Sequence, residues 1–99
     1  MSELASKVEL AAVEIADTFA IDYRELFGMG RSRRVYEGRC TLAKLMRHRF
    51  RMSYNDIGDA LDRDHSTMVH AVQRFDEIVR RDGTFAAIVA AKWPELIPR

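Results

Sequence analysis

The sequence has one cysteine, no long apolar run and almost no net charge. Its 99 residues contain only Cys40 as a possible disulfide partner, so no disulfide can form within the chain. No stretch approaches the roughly 18 uninterrupted apolar residues of a membrane span, and residues 1–10 lack a basic region leading into an apolar run. These absences predict a cytoplasmic protein without a membrane segment. Residues 1–99 are too few for two independent cores, so a single domain is expected.

Groups that carry enzyme chemistry are also scarce. No Gly-rich loop ending in Gly-Lys-Ser/Thr is present, so no nucleotide is expected to bind. His65 and His70 are five residues apart, which is not the spacing that puts two metal ligands on one helical face, and one cysteine cannot supply a zinc set. Asp64, His65 and Ser66 are consecutive, and consecutive helical residues point about 100° apart, which prevents a catalytic relay. We therefore expect no enzyme activity, cofactor or metal.

The charge of the chain is distributed unevenly. The net charge is +1, from 16 Lys+Arg and 15 Asp+Glu. Residues 24–51 nevertheless carry nine Lys+Arg and two acids, whereas residues 1–23 carry one and five, and residues 52–99 carry six and eight. Such a basic block predicts a polyanionic partner, and the alternative is a solvated helix face.

Apolar residues recur at steps of three or four through most of the chain, which predicts an all-α fold. The first helix covers about residues 1–19, with Leu4, Val8, Ile15 and Phe19 facing the core. A short turn of helix capped by Asp22 follows, and then a basic loop at residues 28–32. A second long helix spans about residues 33–50 and contains Cys40, which is expected to be a buried small hydrophobe.

The region from Ser53 to Arg81 has the pattern of a helix-turn-helix. Ser53 is expected to cap a short helix, and Asp64 a longer helix that runs to about Arg81. A tight turn makes two helices cross steeply, so the first residues of the second helix project outward. Asp64, His65, Ser66 and Thr67 are all hydrogen-bonding residues, which suits the reading of base edges in a major groove. The alternative is that they only cap the helix.

The C-terminal segment is predicted as one further helix. Gly83 lies where a helix terminator belongs, and Thr84 is expected to cap a final helix over residues 85–92. Pro94 should stop that helix.

Three stretches of the sequence together resemble the C-terminal DNA-binding domain (domain IV) of the bacterial replication initiator DnaA. They are Arg31-Ser32-Arg33-Arg34-Val35 with Arg39 after it, the segment from Ser53 to Leu61 containing Ile57-Gly58, and the segment from Arg63 to Ala71 containing Arg-Asp-His-Ser-Thr and His-Ala. The resemblance covers about residues 13–82 and leaves an extension helix at about 84–99. It implies a Trp-repressor-like all-α fold in a stand-alone, bacterial or phage, nucleoid-associated protein that binds double-stranded DNA sequence-specifically.

The resemblance also implies a role for individual residues. Arg31 matches an arginine that enters the minor groove, and the major-groove base readers correspond to Asp64, His65 and Ser66. Contacts to the DNA backbone are implied for the remaining matched polar residues and their basic neighbours: Arg33, Arg34, Arg39, Arg63, Thr67 and His70.

This sequence departs from the family pattern at three positions. Ser66 stands in place of a threonine, so a methyl contact with thymine is lost and the preferred site is expected to differ. Asn55 stands where the family usually has proline. One residue of the usual two-glycine turn is missing, which leaves Asp62, and this added acid should weaken binding slightly.

Three biological uses remain open from the sequence. The leading prediction is a transcription regulator acting with a partner protein, and the second is a replication regulator that occupies initiator boxes. The third is a protein-interaction module, which would use the long first helix and an apolar tail containing Phe85, Trp93, Leu96 and Ile97. The alternative for this tail is that it packs on the core, because a chain of this size needs all the apolar area it can bury.

Overall fold

A computed structural model describes residues 3–98 and consists of helices connected by short turns. Five α-helices follow in chain order: α1 Glu3–Phe19, α2 Arg33–His48, α3 Tyr54–Leu61, α4 His65–Arg81 and α5 Gly83–Lys92. Two short 3-10 helices span Tyr23–Phe27 and Pro94–Leu96. This part of the chain contains no β-strand, which confirms the all-α prediction. None of its helices combines the length and the apolarity needed to cross a membrane.

The N-terminal helix packs through the face that its apolar spacing predicts. Val8, Ile15 and Phe19 are buried, but Leu4 is 40% exposed, so the buried face begins one turn later than predicted. Asp22 caps the 3-10 helix as expected: its Oδ1 accepts a hydrogen bond from the backbone N–H of Arg24 at 2.9 Å. Hydrogen bonds from the Arg24 side chain, and then from its backbone, hold the pKa of Asp22 at about 2. The cap therefore holds the chain where it turns from α1 toward α2.

Helix α2 lies at the centre of the domain and contacts both α1 and α4. It begins at Arg33 because the Ser32 hydroxyl accepts a hydrogen bond from the Val35 N–H at 3.2 Å. Cys40 is buried on this helix, as predicted. An ion pair between Lys44 and Asp76, with Nζ and Oδ1 2.9 Å apart, joins α2 to α4.

Helices α3 and α4 form the predicted helix-turn-helix. Ser53 caps α3 through a 3.1 Å hydrogen bond from the Asp56 N–H, and α3 ends at Leu61. The connecting residue Asp62 has φ 53° and ψ 52°, a left-handed conformation that aspartate tolerates better than most residues. A Cβ on Gly58 would lie 2.5 Å from the Arg63 carbonyl oxygen, so the turn closes directly over this glycine.

The boundary between α4 and α5 differs from the prediction. Gly83 is the first residue of α5 instead of a terminator, and Thr84 is not its cap. Asp82 ends α4 and also caps α5, because its Oδ1 accepts hydrogen bonds from the N–H groups of Thr84 and Phe85 at 3.0 and 3.1 Å. The carboxylate thus satisfies two amides that would otherwise lack an intrahelical partner. Helix α5 ends at Lys92, before Pro94, as predicted.

The C-terminal tail belongs to the core of the domain. Phe85, Trp93 and Leu96 are at most 3% exposed, and Ile97 is partly buried. The Phe85 ring stacks on Phe19 with 5.8 Å between centroids and meets Phe75 edge-on at 5.7 Å. The prediction that a protein partner binds through Phe85, Trp93, Leu96 and Ile97 is therefore wrong for the three buried side chains, and it stays a prediction for Ile97. A domain of this size gains stability by burying these residues itself.

Candidate nucleic-acid interface

The first turn of α4 presents a row of exposed polar residues. Asp64 caps the helix: its Oδ1 accepts from the Ser66 N–H at 3.4 Å, and its Oδ2 accepts from the Ser66 hydroxyl at 3.0 Å. These hydrogen bonds, led by the one from the Ser66 side chain, lower the pKa of Asp64. The carboxylate is therefore ionised at neutral pH, next to the partial positive charge of a helix N-terminus. Each carboxylate oxygen accepts more than one hydrogen bond, so Asp64 can cap the helix and still receive a donor from outside.

The remaining polar residues of this row are not needed for capping. His65 is exposed, with its Nδ1 3.3 Å from Oδ1 of Asp64. Thr67 is exposed, and His70 is exposed one turn further along the same face, since residues three and four apart are neighbours on a helix. Capping therefore accounts for Asp64 and Ser66 and leaves His65, Thr67 and His70 available.

The basic loop at residues 28–32 and the start of α2 carry cations with different surroundings. Arg31 and Arg34 are exposed and make no ion pair within residues 3–98. Arg33 is also exposed, but its guanidinium lies 3.3 Å from a Glu37 carboxylate oxygen and 3.1 Å from one of Asp82. Arg31 is therefore the cation of the loop itself, and within the described residues no ion pair restrains it.

Arg39 turns toward the basic loop rather than toward solvent. Its Nε donates to the Leu26 carbonyl at 3.0 Å, and its Nη2 donates to the carbonyls of Glu25 and Gly28 at 2.9 Å and of Gly30 at 3.3 Å. Burial, and to a lesser extent the nearby Arg63 cation, lower the pKa of Arg39. Arg39 thus binds the backbone directly before the loop and within its first three residues.

Arg63 has a similar position in the turn between α3 and α4. Its Nη1 donates to the carbonyls of Leu61 and Asp62, both at 3.0 Å. Its Nη2 donates to the Gly28 carbonyl, which Arg39 also binds. This contact brings the basic loop and the turn ahead of α4 together on one surface.

The sequence interpretation missed these inward roles, although a pattern in α2 pointed to one of them. Arg39 lies on the same helical stripe as Val35, Leu42 and Met46, at steps of four, three and four. A long cationic side chain on an apolar stripe packs its stem and places its head at the edge of the core. No comparable spacing singles out Arg63, because its partner Gly28 is 35 residues away.

Arg47 is a further residue without a predicted role. Its guanidinium lies 4.4 Å from the centroid of the Tyr54 ring, and its Nη1 donates to the Met52 carbonyl at 3.0 Å. A cation over an aromatic ring is stabilised by the negative face of the ring. Arg47 thereby holds the segment that leads into α3.

Comparison with known proteins identifies the family of this fold and surface. The family model described as the bacterial dnaA protein helix-turn-helix matches residues 9–75. The chromosomal replication initiator protein DnaA of Thermomicrobium roseum is 33% identical over 84 residues, covering 84% of this chain and 18% of the relative. The same protein of Roseiflexus castenholzii is 33% identical, covering 79% and 16%, and that of Dechloromonas aromatica is 37% identical, covering 65% and 14%.

The chain thus spans less than a fifth of the length of each of these relatives. The matched region contains α2, α3 and most of α4, together with the basic loop and the turn that Arg63 connects. On this match, the chain belongs to the bacterial DnaA helix-turn-helix family.

Proposed function

We propose that this protein binds double-stranded DNA sequence-specifically through the basic loop and the first turn of α4. The start of α4 enters the major groove, where Asp64, His65 and Ser66 read base edges. Arg31 enters the adjacent minor groove, whose negative potential is strongest in narrow A·T-rich tracts. Phosphates are contacted by the remaining exposed polar residues of the surface, Arg33, Arg34, Thr67 and His70. Such a protein would be found on the nucleoid.

The observation that carries this proposal is the contact of Arg63 with the Gly28 carbonyl. Because of this contact, an exposed arginine without an ion pair and an exposed polar helix end belong to one surface. His65 and Thr67 on that helix end have no capping role. An acidic residue among them favours specific readout over general adhesion, since phosphates repel it unless it accepts a hydrogen bond from cytosine N4.

Selection from a pool of random duplexes tests the proposal directly. We expect salt-dependent binding to the pool and enrichment of a short asymmetric motif. His65→Ala should cost roughly 1–3 kcal/mol on the enriched site and change the affinity for random duplex little. Arg34→Ala serves as the comparison, because loss of a phosphate contact should weaken both complexes equally.

Two results would contradict the binding mode. Equal losses on both duplexes for His65→Ala would remove the base-reading role of α4. Absence of salt-dependent binding to the random pool would favour a protein-interaction module on the same fold.

Transcription regulation is the biological use that we propose for this DNA reader. A partner protein that takes part in it must bind outside the buried tail residues Phe85, Trp93 and Leu96. The second candidate is regulation of replication through initiator sites, favoured by the name chromosomal replication initiator that the relatives carry. Genome-wide crosslinking separates the two: peaks at promoters support transcription control, and peaks confined to a replication origin support the second use.

A further inference from the structure

We infer that Arg39 and Arg63 are positioning residues that fix the basic loop relative to α4, rather than contacts to DNA phosphates. The inference rests on the proposed function for its effect on DNA recognition. Its structural part, the clamping of the loop by two arginines, can be tested without DNA.

The basic loop depends on these side chains because its own backbone supplies little support. Gly28 donates to the Glu25 carbonyl at 3.2 Å, and the next backbone bond is from Tyr36 to the Ser32 carbonyl at 2.9 Å. Within the described part of the chain, no hydrogen bond to another backbone group holds Met29, Gly30 or Arg31. The loop conformation is therefore set mainly by side chains that bind its carbonyl oxygens.

Arg39 supplies most of that support from α2. It binds the Gly28 and Gly30 carbonyls, which flank Met29, and the Gly30 carbonyl directly precedes Arg31. Its bonds to the Glu25 and Leu26 carbonyls tie the same guanidinium to the preceding 3-10 helix. One rigid fork of donors thus ties the loop backbone at Gly28 and Gly30 to the 3-10 helix before it.

Arg63 connects this clamp to the helix-turn-helix. It binds the last carbonyl of α3, at Leu61, the Asp62 carbonyl in the turn, and the Gly28 carbonyl. The Gly28 oxygen accepts from both arginines, so two like charges are held close together around one acceptor. A phosphate would have to compete with these carbonyls for the same guanidinium donors.

The clamp affects DNA recognition because it fixes the distance between Arg31 and the start of α4. Arg31 and the first turn of α4 must reach adjacent grooves at the same time, and a loose loop would have to be ordered on binding. Ordering costs conformational entropy, which lowers affinity where both contacts are made. The clamp removes this cost before DNA arrives and therefore acts on specific binding more than on general adhesion.

Lysine substitutions separate positioning from a phosphate contact. Arg39→Lys and Arg63→Lys keep the charge but replace a fork of donors by a single ammonium, which cannot bridge several carbonyls. A phosphate contact tolerates this change, whereas a clamp does not. Arg80→Lys, in the last turn of α4, is the matched control, and Arg34→Ala gives the expected signature of a lost phosphate contact.

The first experiment uses trypsin on the folded protein without DNA, followed by mass spectrometry of cleavage after Arg31. We expect about tenfold faster cleavage in Arg39→Lys and Arg63→Lys, equivalent to about 1.4 kcal/mol, and no change in Arg80→Lys. Circular dichroism checks that each variant remains helical. If a lysine variant unfolds, cleavage is measured instead on the glutamine variant at that position, Arg39→Gln or Arg63→Gln. Unchanged cleavage in folded variants would overturn the clamp.

The second experiment measures binding to the selected site and to random duplex at several salt concentrations. We expect Arg39→Lys and Arg63→Lys to lose about tenfold on the selected site, with random binding and the salt slope unchanged. Repeated selection should show relaxed preference at the base pairs read by Arg31 and retained preference at those read by α4. If Arg39→Ala weakens both duplexes equally and reduces the salt slope by about one, Arg39 is a phosphate contact and the inference is wrong.

The two experiments distinguish failure of this inference from failure of the proposed function. A wild-type protein that selects no DNA motif, but whose loop becomes sensitive to trypsin in the lysine variants, would keep the clamp and refute specific DNA binding. If the wild-type protein and the lysine variants all select the same motif equally well, specific DNA binding is retained and the clamp is refuted.

Discussion

At the scale of single residues, the turn between α3 and α4 depends on Gly58, which has no side chain, and on Asp62, which tolerates a left-handed backbone conformation. Gly58 lies directly under the Arg63 carbonyl, and its own carbonyl accepts the Arg63 N–H at 2.8 Å. Asp62 adopts a left-handed conformation in which its short polar side chain is tolerated. The tight turn thus places Asp64 at the helix start, with the exposed base-reading candidates after it.

Gly58→Ala should therefore destabilise the domain. The new Cβ would lie 2.5 Å from a backbone oxygen, and a backbone group cannot move aside as a flexible side chain can. We expect a loss of about 1–3 kcal/mol in the free energy of unfolding, measured by urea denaturation. Gly83→Ala is the control, since a methyl group added there would meet no atom within 4 Å. Because alanine lowers the conformational entropy of the unfolded chain, this substitution should stabilise the folded domain by about 0.4–1 kcal/mol. Equal effects of the two substitutions would contradict this account of the turn.

At the scale of secondary-structure elements, three helix starts were predictable from a capping residue placed before an apolar periodic segment. Asp22, Ser53 and Asp64 each precede an apolar periodic segment, and each caps the helix that follows. The α4–α5 boundary was mispredicted because Asp82, Gly83 and Thr84 are three consecutive residues with capping preferences. The local sequence does not show which of the three is the cap. Asp82 is the cap because it is the one residue that joins the end of α4 to the start of α5.

Asp82 should therefore account for the stability of this junction. We expect Asp82→Ala to cost about 0.5–2 kcal/mol in urea unfolding, because two N–H groups at the start of α5 lose their acceptor. Asp82→Asn should cost less, since its amide oxygen can still cap and the lost ion pair with exposed Arg33 contributes little. Thr84→Ala tests the alternative cap. A larger loss for Thr84→Ala than for Asp82→Ala would show that the hydroxyl supports the helix instead.

At the scale of the whole molecule, the candidate site was less predictable than the fold. Helical spacing gives the buried faces of α1, α2 and α4, because each follows from local periodicity. The resemblance gave the exposed residues of the surface but assigned Arg39 and Arg63 by position alone. The carbonyl partners of Arg39 lie in the preceding 3-10 helix and the loop, and Arg63 reaches Gly28, 35 residues away, so no local pattern encodes these pairings.

Internal partners of this kind also reduce the positive charge that the basic block at residues 24–51 can offer to DNA. Six of its nine cations have internal partners: Arg24 with Asp22, Arg33 with Glu37 and Asp82, Arg39 with the loop carbonyls, Lys44 with Asp76, Arg47 with Tyr54 and the Met52 carbonyl, and Arg49 with Glu95. Within the described residues, Arg31, Arg34 and Arg51 are the cations of this block without such a partner. The charge available to phosphates is therefore smaller than the sequence total suggests.

The salt dependence of binding to random duplex measures this available charge. Each phosphate neutralised contributes about −0.9 to the slope of log K against log salt concentration. Three unpaired cations, together with Arg33, whose exposed ion pairs contribute little, should give a slope between about −3 and −4, whereas nine would give about −8. Fluorescence anisotropy titrations between about 50 and 300 mM KCl provide the measurement. A slope steeper than about −6 would mean that DNA draws the paired arginines away from their internal partners, and the clamp on the basic loop would then have to open on binding.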